Sequence, residues 1–264
     1  MLLAIDSGNT NIVFAVFDDA DKIRGEWRSS SHSERTADDF GVWLGQLMGD
    51  VGLIPDDITG AIIASVVPAT LFTLKSLCRD HFHSEPLVIG ERGVDLDLKA
   101  LVNRPQDVGA DRLVNAVSAH QNYGGPLIVV DFGTATTFDV VAEDGAYVGG
   151  VIAPGVNLSL EALHMGAAAL PHVDISRPDK VIGTNTVQCI QSGVFWGYVG
   201  LVTGITERIR KEYARPMRII GTGGLAPLFA QGDMLFDTLE DDLTMHGLTV
   251  IHAYNKENGI AHEQ

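Results

Sequence analysis

Apolar residues along the chain change their spacing several times, and each change marks an element. Leu2–Ile5 runs into a polar turn at Asp6–Asn11, Ile12–Phe17 resumes a β-rich run, and a second polar turn follows at Asp18–Lys22. This predicts strand, turn, strand, turn. Phe40, Trp43, Leu44 and Leu47 then recur at helical spacing, with Thr36 and Asp39 as a start signal. Residues 60–67 (GAIIASVV) predict a short buried strand ended by Pro68, 69–82 a helix and 86–90 a strand. Residues 105–125 predict a helix started by Asp107 and stopped by Gly124 and Gly125. Residues 185–213 predict a long glycine-bearing helix or helix pair, 217–230 a strand, Gly turn and helix, and 248–258 a last strand and helix. The alternation implies an α/β fold with mixed sheets.

One internal repeat organises the pattern. LLAIDSGNTNIVFAVFDDADKI at 2–23 lies on LIVVDFGTATTFDVVAEDGAYV at 127–148 with a shift of 125, setting Asp6 on Asp131, Gly8 on Gly133, Asn9 on Thr134, Asn11 on Thr136 and Val16 on Val141. A duplicated unit of three strands plus helix divides the chain near residue 120, into domains 1–118 and 119–264.

Composition narrows the chemistry. The 264 residues carry 45% hydrophobic and 20% charged side chains, an ordinary globular balance. The formal net charge is −16, so nucleic-acid backbones and anionic membranes are repelled. No run approaches the ~18 apolar residues of a membrane span, and Asp6 interrupts the N-terminal run too early for a secretory signal. Cys78 and Cys189, without a CxxC, read as reduced, packed thiols of a cytoplasmic protein. His81 and His83 lack a third metal ligand and read as the polar end of a helix.

Phosphate chemistry without a Walker A motif needs another device, and no lysine sits in a glycine turn. In Asp6-Ser-Gly-Asn-Thr-Asn and Asp131-Phe-Gly-Thr-Ala-Thr-Thr, an Asp ends a strand and a Gly occupies the turn. Backbone N–H groups of such a turn approach a phosphate closely, with hydroxyl and amide side chains as further donors. The Asp suits a hard cation. A third Gly turn, Gly221-Thr-Gly-Gly-Leu225, follows a strand and opens a helix. Asp111 and Arg112 lie near a helix start, where the helix end and the guanidinium are both expected to favour an ionised carboxylate able to accept a hydroxyl proton.

Two hairpins and a Gly turn in this order resemble the actin/Hsp70/sugar-kinase superfamily. With GADR at 109–112, DFGTATT, IAPGVNLSLEAL, GTNT at 183–186 and GTGGLA at 221–226, the chain resembles the type III pantothenate kinases from residue 2 to about 250. The resemblance implies two related half-domains of the actin-like (ribonuclease H-like) ATPase fold, with mixed sheets flanked by helices. It implies ATP-dependent phosphorylation of the primary hydroxyl of pantothenate, the first step toward coenzyme A. By the same resemblance Asp6, Ser7, Gly8, Asn9, Thr10, Asn11, Ile12 and Val13 form the first ATP loop and Thr134 binds ATP. Asp131 holds K⁺ or NH₄⁺, and Mg²⁺ accompanies ATP, with Asp6 its candidate ligand. Gly109, Ala110, Asp111 and Arg112 contact pantothenate, with Asp111 as the proton acceptor. Thr186 reaches the site of a neighbouring subunit, so the implied assembly is a homodimer with composite sites. Val102 stands where family members often carry a substrate-packing Tyr, and Asn157 is a further cleft candidate. Two other readings share these hairpins: a non-catalytic nucleotide-binding accessory factor for transcription, and a kinase of another small alcohol. Intact Asp111, Arg112 and Thr186 argue against the first.

Overall fold

A computed structural model describes residues 1–32, 34–167, 170–230 and 235–259. The chain forms two compact units. The first holds Met1–Lys99, Asn103–Gln121 and the segment from Leu243; the second holds Ala100–Val102 and Asn122–Asp242. Against the sequence division at 118/119, the chain thus crosses after Gln121, and the final helix returns to the first unit.

In the first unit, β1 (Leu2–Ser7) pairs antiparallel with β2 (Asn11–Phe17), which pairs antiparallel with β3 (Ile23–Ser30). On its other side β1 is parallel to β4 (Gly60–Ser65), and β4 to the two-residue β5 (Leu87–Val88). Helices α1 (Ala37–Asp50) and α2 (Pro68–Phe82) lie over one face, burying Phe14, Phe40, Leu44, Leu74 and Leu77. Thr36 and Asp39 close a reciprocal capping box, as their spacing predicted. The other face is covered by α3 (Ala110–Tyr123) and α7 (Leu243–Glu257) through Val114, Leu248 and Ile251. The central strand is therefore buried on both sides.

The second unit repeats this plan. β6 (Leu127–Phe132), β7 (Ala135–Val141) and β8 (Tyr147–Pro154) form the antiparallel part, and β9 (Arg218–Thr222) and β10 (Thr238–Leu239) the parallel part. The strand orders β3-β2-β1-β4-β5 and β8-β7-β6-β9-β10 are the same path. Strands of six, seven and eight residues recur in both units, and the register slips at Val16/Phe17 in one and at Val140/Val141 in the other. Helices α4 (Val156–Gly166), α5 (Thr186–Tyr213) and α6 (Ala226–Phe229) complete the unit, with Phe138, Phe195, Val202 and Phe229 in its core.

Four sequence expectations need correction. The repeat does not keep one shift: β6 answers β1 at 125, but β7 answers β2 at 124. The first turn spans Gly8–Asn11 and the second only Gly133–Ala135, so Asn11 corresponds to Ala135 and Val16 to Val140. Residues 248–258 form no strand. The β-branched run Thr249–Ile251 misled the reading, whereas burial of Leu243, Gly247, Leu248, Ile251 and Asn255 makes one helix from Leu243. Helix α3 starts at Ala110, because Pro105–Asp107 makes a separate 3₁₀ turn. Cys78 is buried, but Cys189 is exposed. The region 185–213 is one continuous helix from Thr186, and His83, in the left-handed conformation, ends α2 as a cap.

Candidate active site

In the first unit the candidate residues gather at the C-terminal ends of the parallel strands β1 and β4, the end of a parallel sheet where ligands bind. Asp6 is the fifth residue of β1, between Val13 and Ala64. The turn beyond it is closed by Gly8 N–H donating to Asn11 O at 3.0 Å. Asn9, Thr10 and Asn11 are exposed at its tip, whereas the Ile12 side chain is in the core and Val13 is half-buried in β2.

Ser7 departs from its expected role as a phosphate donor. It is fully buried, and its Oγ lies 2.8 Å from Thr70 Oγ1. Thr70 spends its own hydroxyl proton on Val67 O at 2.9 Å. The Ser7 hydroxyl therefore donates to Thr70, and a hydroxyl has one proton to give. Ser7 anchors the hairpin to the first turn of α2.

Val66 joins this hairpin to the acceptor motif. Its N–H donates to Ser7 O at 3.0 Å. Its Cγ1 lies 3.5 Å from where a β-carbon on Gly109 would stand, and that β-carbon would be 2.5 Å from Asp111 Oδ1. Asp111 Oδ1 accepts the Arg112 N–H at 2.8 Å. Ser7, Val66, Gly109 and Asp111 thus form one run of neighbours, placing the acceptor carboxylate beside the first hairpin. Burial pushes the Asp111 carboxyl above the usual carboxylate value, against the Arg112 N–H and the Arg112 charge, which pull it down. The shift runs opposite to the expected one, because the half-buried carboxylate loses more hydration than the helix start and Arg112 return. A carboxylate of raised proton affinity is a better base.

The second unit has its own cluster at the equivalent strand ends. Asp131 is the fifth residue of β6, and its register neighbours are Thr137 on β7 and Thr222 on β9. Aligned residues of neighbouring strands share a face, so two hydroxyls flank this carboxylate. Thr137 donates its proton to Asp139 Oδ2 at 3.2 Å, leaving its oxygen as an acceptor. Gly223, with φ +89°, packs so closely that a β-carbon would meet Asp131 Oδ1 at 2.4 Å and Phe132 N at 2.7 Å. The third Gly turn therefore seats directly on the strand end bearing Asp131. Thr134 is exposed at the hairpin tip, where Gly133 N–H donates to Ala135 O at 3.0 Å. Gly155, the N-cap of α4, abuts this hairpin: a β-carbon there would lie 2.2 Å from Thr134 O and 2.8 Å from Gly133 O.

The structure thus links Ser7 through Val66 to Gly109 and Asp111, and brings Asp131 together with the third Gly turn. Thr186 is exposed at the first residue of α5, behind the cap Asn185 Oδ1 to Gln188 N at 3.0 Å. Asn157 is exposed in the first turn of α4. Val102 packs near Gly149, in a segment whose Leu101 N–H donates to Tyr147 O at 2.7 Å. His164 and His172 meet edge to face with ring centroids 5.8 Å apart, and His164 Nδ1 lies 2.8 Å from Leu170 O. Sequence reasoning missed Val66, Thr70 and Ser31. Val66 reads only as the end of the strand at 60–67, Thr70 only as the start of the helix at 69–82, and Ser31 closes an unremarked serine triplet. Gly155 had a signal: it follows a strand and precedes a helix. Among the described residues no three His, Cys, Asp or Glu side chains gather as a metal cluster, and no helix is long and apolar enough to cross a membrane.

Comparison with known proteins adds to this geometry. The family model of type III pantothenate kinase matches residues 2–208. The type III pantothenate kinase of Paramagnetospirillum magneticum is 63% identical over 97% of this chain and 98% of its own. That of Rhodospirillum rubrum is 61% identical over 97% of this chain and 99% of its own. Among solved structures, component A of (R)-2-hydroxyglutaryl-CoA dehydratase from Acidaminococcus fermentans superposes with a TM-score of 0.56, at 11% identity, over 98% of each chain. That likeness concerns the fold alone, which is the α/β architecture of the actin-like ATPases and sugar kinases.

Proposed function

The chain belongs to the type III pantothenate kinase family, and from that premise we propose that it transfers the γ-phosphoryl group of ATP to the primary hydroxyl of pantothenate, the first step toward coenzyme A. The observation that carries the reading is the run Ser7–Val66–Gly109–Asp111, which sets a base next to a phosphate hairpin. The hydroxyl oxygen attacks the γ-phosphorus, its proton passes to Asp111 Oδ, and ADP leaves. Phosphoryl transfer has a loose transition state, so positioning and charge do most of the work. Each unit contributes a phosphate hairpin to this reading: Gly8–Asn11 in the first, and Gly133–Ala135, with Thr134 as a side-chain donor, in the second. Asp6 is the candidate ligand of the Mg²⁺ that enters with ATP. Mg²⁺ keeps most of its water and takes one or two carboxylates, which suits a single Asp at a strand end.

The strand end at Asp131 fits a monovalent cation such as K⁺ or NH₄⁺. Its donors are all oxygen: the carboxylate and the flanking Thr137 and Thr222 hydroxyls, in a cradle that a β-carbon on Gly223 would fill. When bound, such a cation adds positive charge beside a phosphate loop that has no lysine. Gly109, Ala110 and Arg112 complete the acceptor side, and Arg112 supplies a charge for the pantothenate carboxylate.

A homodimer with a composite site belongs to the same proposal. Val151, Ile152, Leu158 and Met165 expose apolar surface on β8 and α4, Ile182 is 83% exposed just before α5, and Gly193, Gly197 and Gly200 leave an open stripe along α5. Thr186 sits exposed at the start of that helix, which supports a role at a neighbour's pantothenate. The protein works in the cytoplasm, without nucleic-acid or membrane partners.

Phosphopantothenate formation, followed by ADP release with pantothenate and a panel of small alcohols, tests the reading. Pantothenate-dependent turnover that disappears in Asp111→Asn, with ADP binding intact, is expected. Turnover unchanged in that variant removes Asp111 from the reaction. Equal rates with Na⁺ and K⁺ overturn the cation assignment, and a monomer in sedimentation overturns the composite site.

A further inference from the structure

We infer that Ser31, the residue immediately after β3, is a positioning residue that sets the first phosphate hairpin for nucleotide; the inference rests on the kinase reading above and deepens it. The turn Gly8–Asn11 is four residues long with an exposed tip, and a loop of that kind pays conformational entropy to hold one shape. Ser31 supplies two bonds to it. Its Oγ donates to Gly8 O at 2.6 Å, and its backbone N–H donates to Thr10 O at 3.0 Å. In a planar trans peptide the C=O and the next N–H point in opposite directions. Holding the Gly8 carbonyl toward Ser31 therefore turns the Asn9 N–H away from it, to the outer side of the turn. An outward N–H at a glycine corner is what an anionic phosphate needs.

The second unit shows that this position matters through a different device. The β8/β3 correspondence, a shift of 124, places Gly155 where Ser31 stands. Gly155 has no hydroxyl, but it approaches the hairpin so closely that a β-carbon would lie 2.8 Å from Gly133 O and 2.2 Å from Thr134 O. Gly133 O is the counterpart of Gly8 O. In both units, then, the residue after the third strand confronts the carbonyls of the phosphate turn. One unit uses a hydroxyl bond to a longer turn, and the other uses close packing against a shorter one. Thr70 braces the first hairpin through Ser7. Ser31 acts through the hairpin and touches no reacting atom.

The test compares wild type with Ser31→Ala and Ser31→Gly, which delete the hydroxyl but keep the backbone bond, and with Ser31→Thr, which retains it. Mg·ADP affinity is measured by calorimetry, KM for ATP and for pantothenate separately, and folding by circular dichroism. The expected result for Ala and Gly is a loss of about fivefold in Mg·ADP affinity and a rise of about fivefold in KM for ATP, the size of one net hydrogen bond. KM for pantothenate stays within twofold, and Thr recovers most of the loss. Unchanged nucleotide affinity in folded Ser31→Ala, or equal rises in both KM values, overturns the inference. Calorimetry needs no acceptor: an enzyme inert toward pantothenate whose Ser31→Ala still loses Mg·ADP would sink the kinase reading and leave this inference standing.

Discussion

Gly109 and Asp111 are fitted to one another: a β-carbon at 109 would stand 2.5 Å from the Asp111 Oδ1 atom. Asp has a short side chain with little room to swing, so Gly109→Ala must move the carboxylate. Misplacing a reacting group by about 1 Å costs on the order of 10²-fold in rate. Gly109→Ala is therefore expected to lower kcat by about that factor while Mg·ADP affinity, read by calorimetry, stays as in wild type. A kcat within twofold of wild type would show that the carboxylate tolerates displacement.

Asp111 also sets a pH-dependent stability. Burial holds its proton affinity above the unfolded value of 3.8. Between the unfolded and folded values the native state binds more protons than the unfolded chain, so stability falls as pH rises through that window. Above it the cost of an ionised, half-buried carboxylate is fully present. Asp111→Asn, which keeps the acceptor for the Arg112 N–H, should raise Tm at neutral pH by about 2–4 °C. The gain should shrink as pH drops below the window. A Tm equal to or below wild type at pH 7 would contradict this cost.

Gly155 seats the second hairpin. Gly155→Ala places a methyl 2.2 Å from Thr134 O, which is backbone and cannot rotate aside. The hairpin must shift, and nucleotide affinity should fall by more than tenfold, with pantothenate binding less affected. Retained Mg·ADP affinity in a folded Gly155→Ala protein would mean that Thr134 does not hold nucleotide.

The two thiols should separate cleanly. Burial pushes the Cys78 thiol up to about 12, whereas Cys189 is exposed. Reactivity follows thiolate fraction and access. Native protein should titrate one fast thiol, lost in Cys189→Ser, and release the second only on unfolding. Two fast thiols in the native state would place Cys78 outside the core.

Much of this was legible without coordinates. Period-two runs, capping signals and the Asp-x-Gly repeat were enough to fix the α/β class, the duplication and the family resemblance, because these depend on neighbours in sequence. The repeat at constant shift failed by one residue, since turn length is set by which strand residues pair, and Ser7–Ile12 pairs differently from Phe132–Thr136. The strand expected at the start of 248–258 is instead part of the helix Leu243–Glu257, because β propensity yields to packing of Gly247 against Val114 O, with 2.5 Å left for a β-carbon.

Residue types along the chain thus determined which groups are on offer for the proposed chemistry: two glycine corners, each after an Asp, and a carboxylate at a helix start. Tertiary structure decided what each group can do. It put Ser7 in the core facing Thr70, raised the proton affinity of Asp111 by burial, and recruited Val66 and Ser31, 59 and 23 positions from the residues they hold, Ser7 and Gly8. Hydration and hydrogen-bond partners belong to places in space, and a sequence lists residues before those places exist.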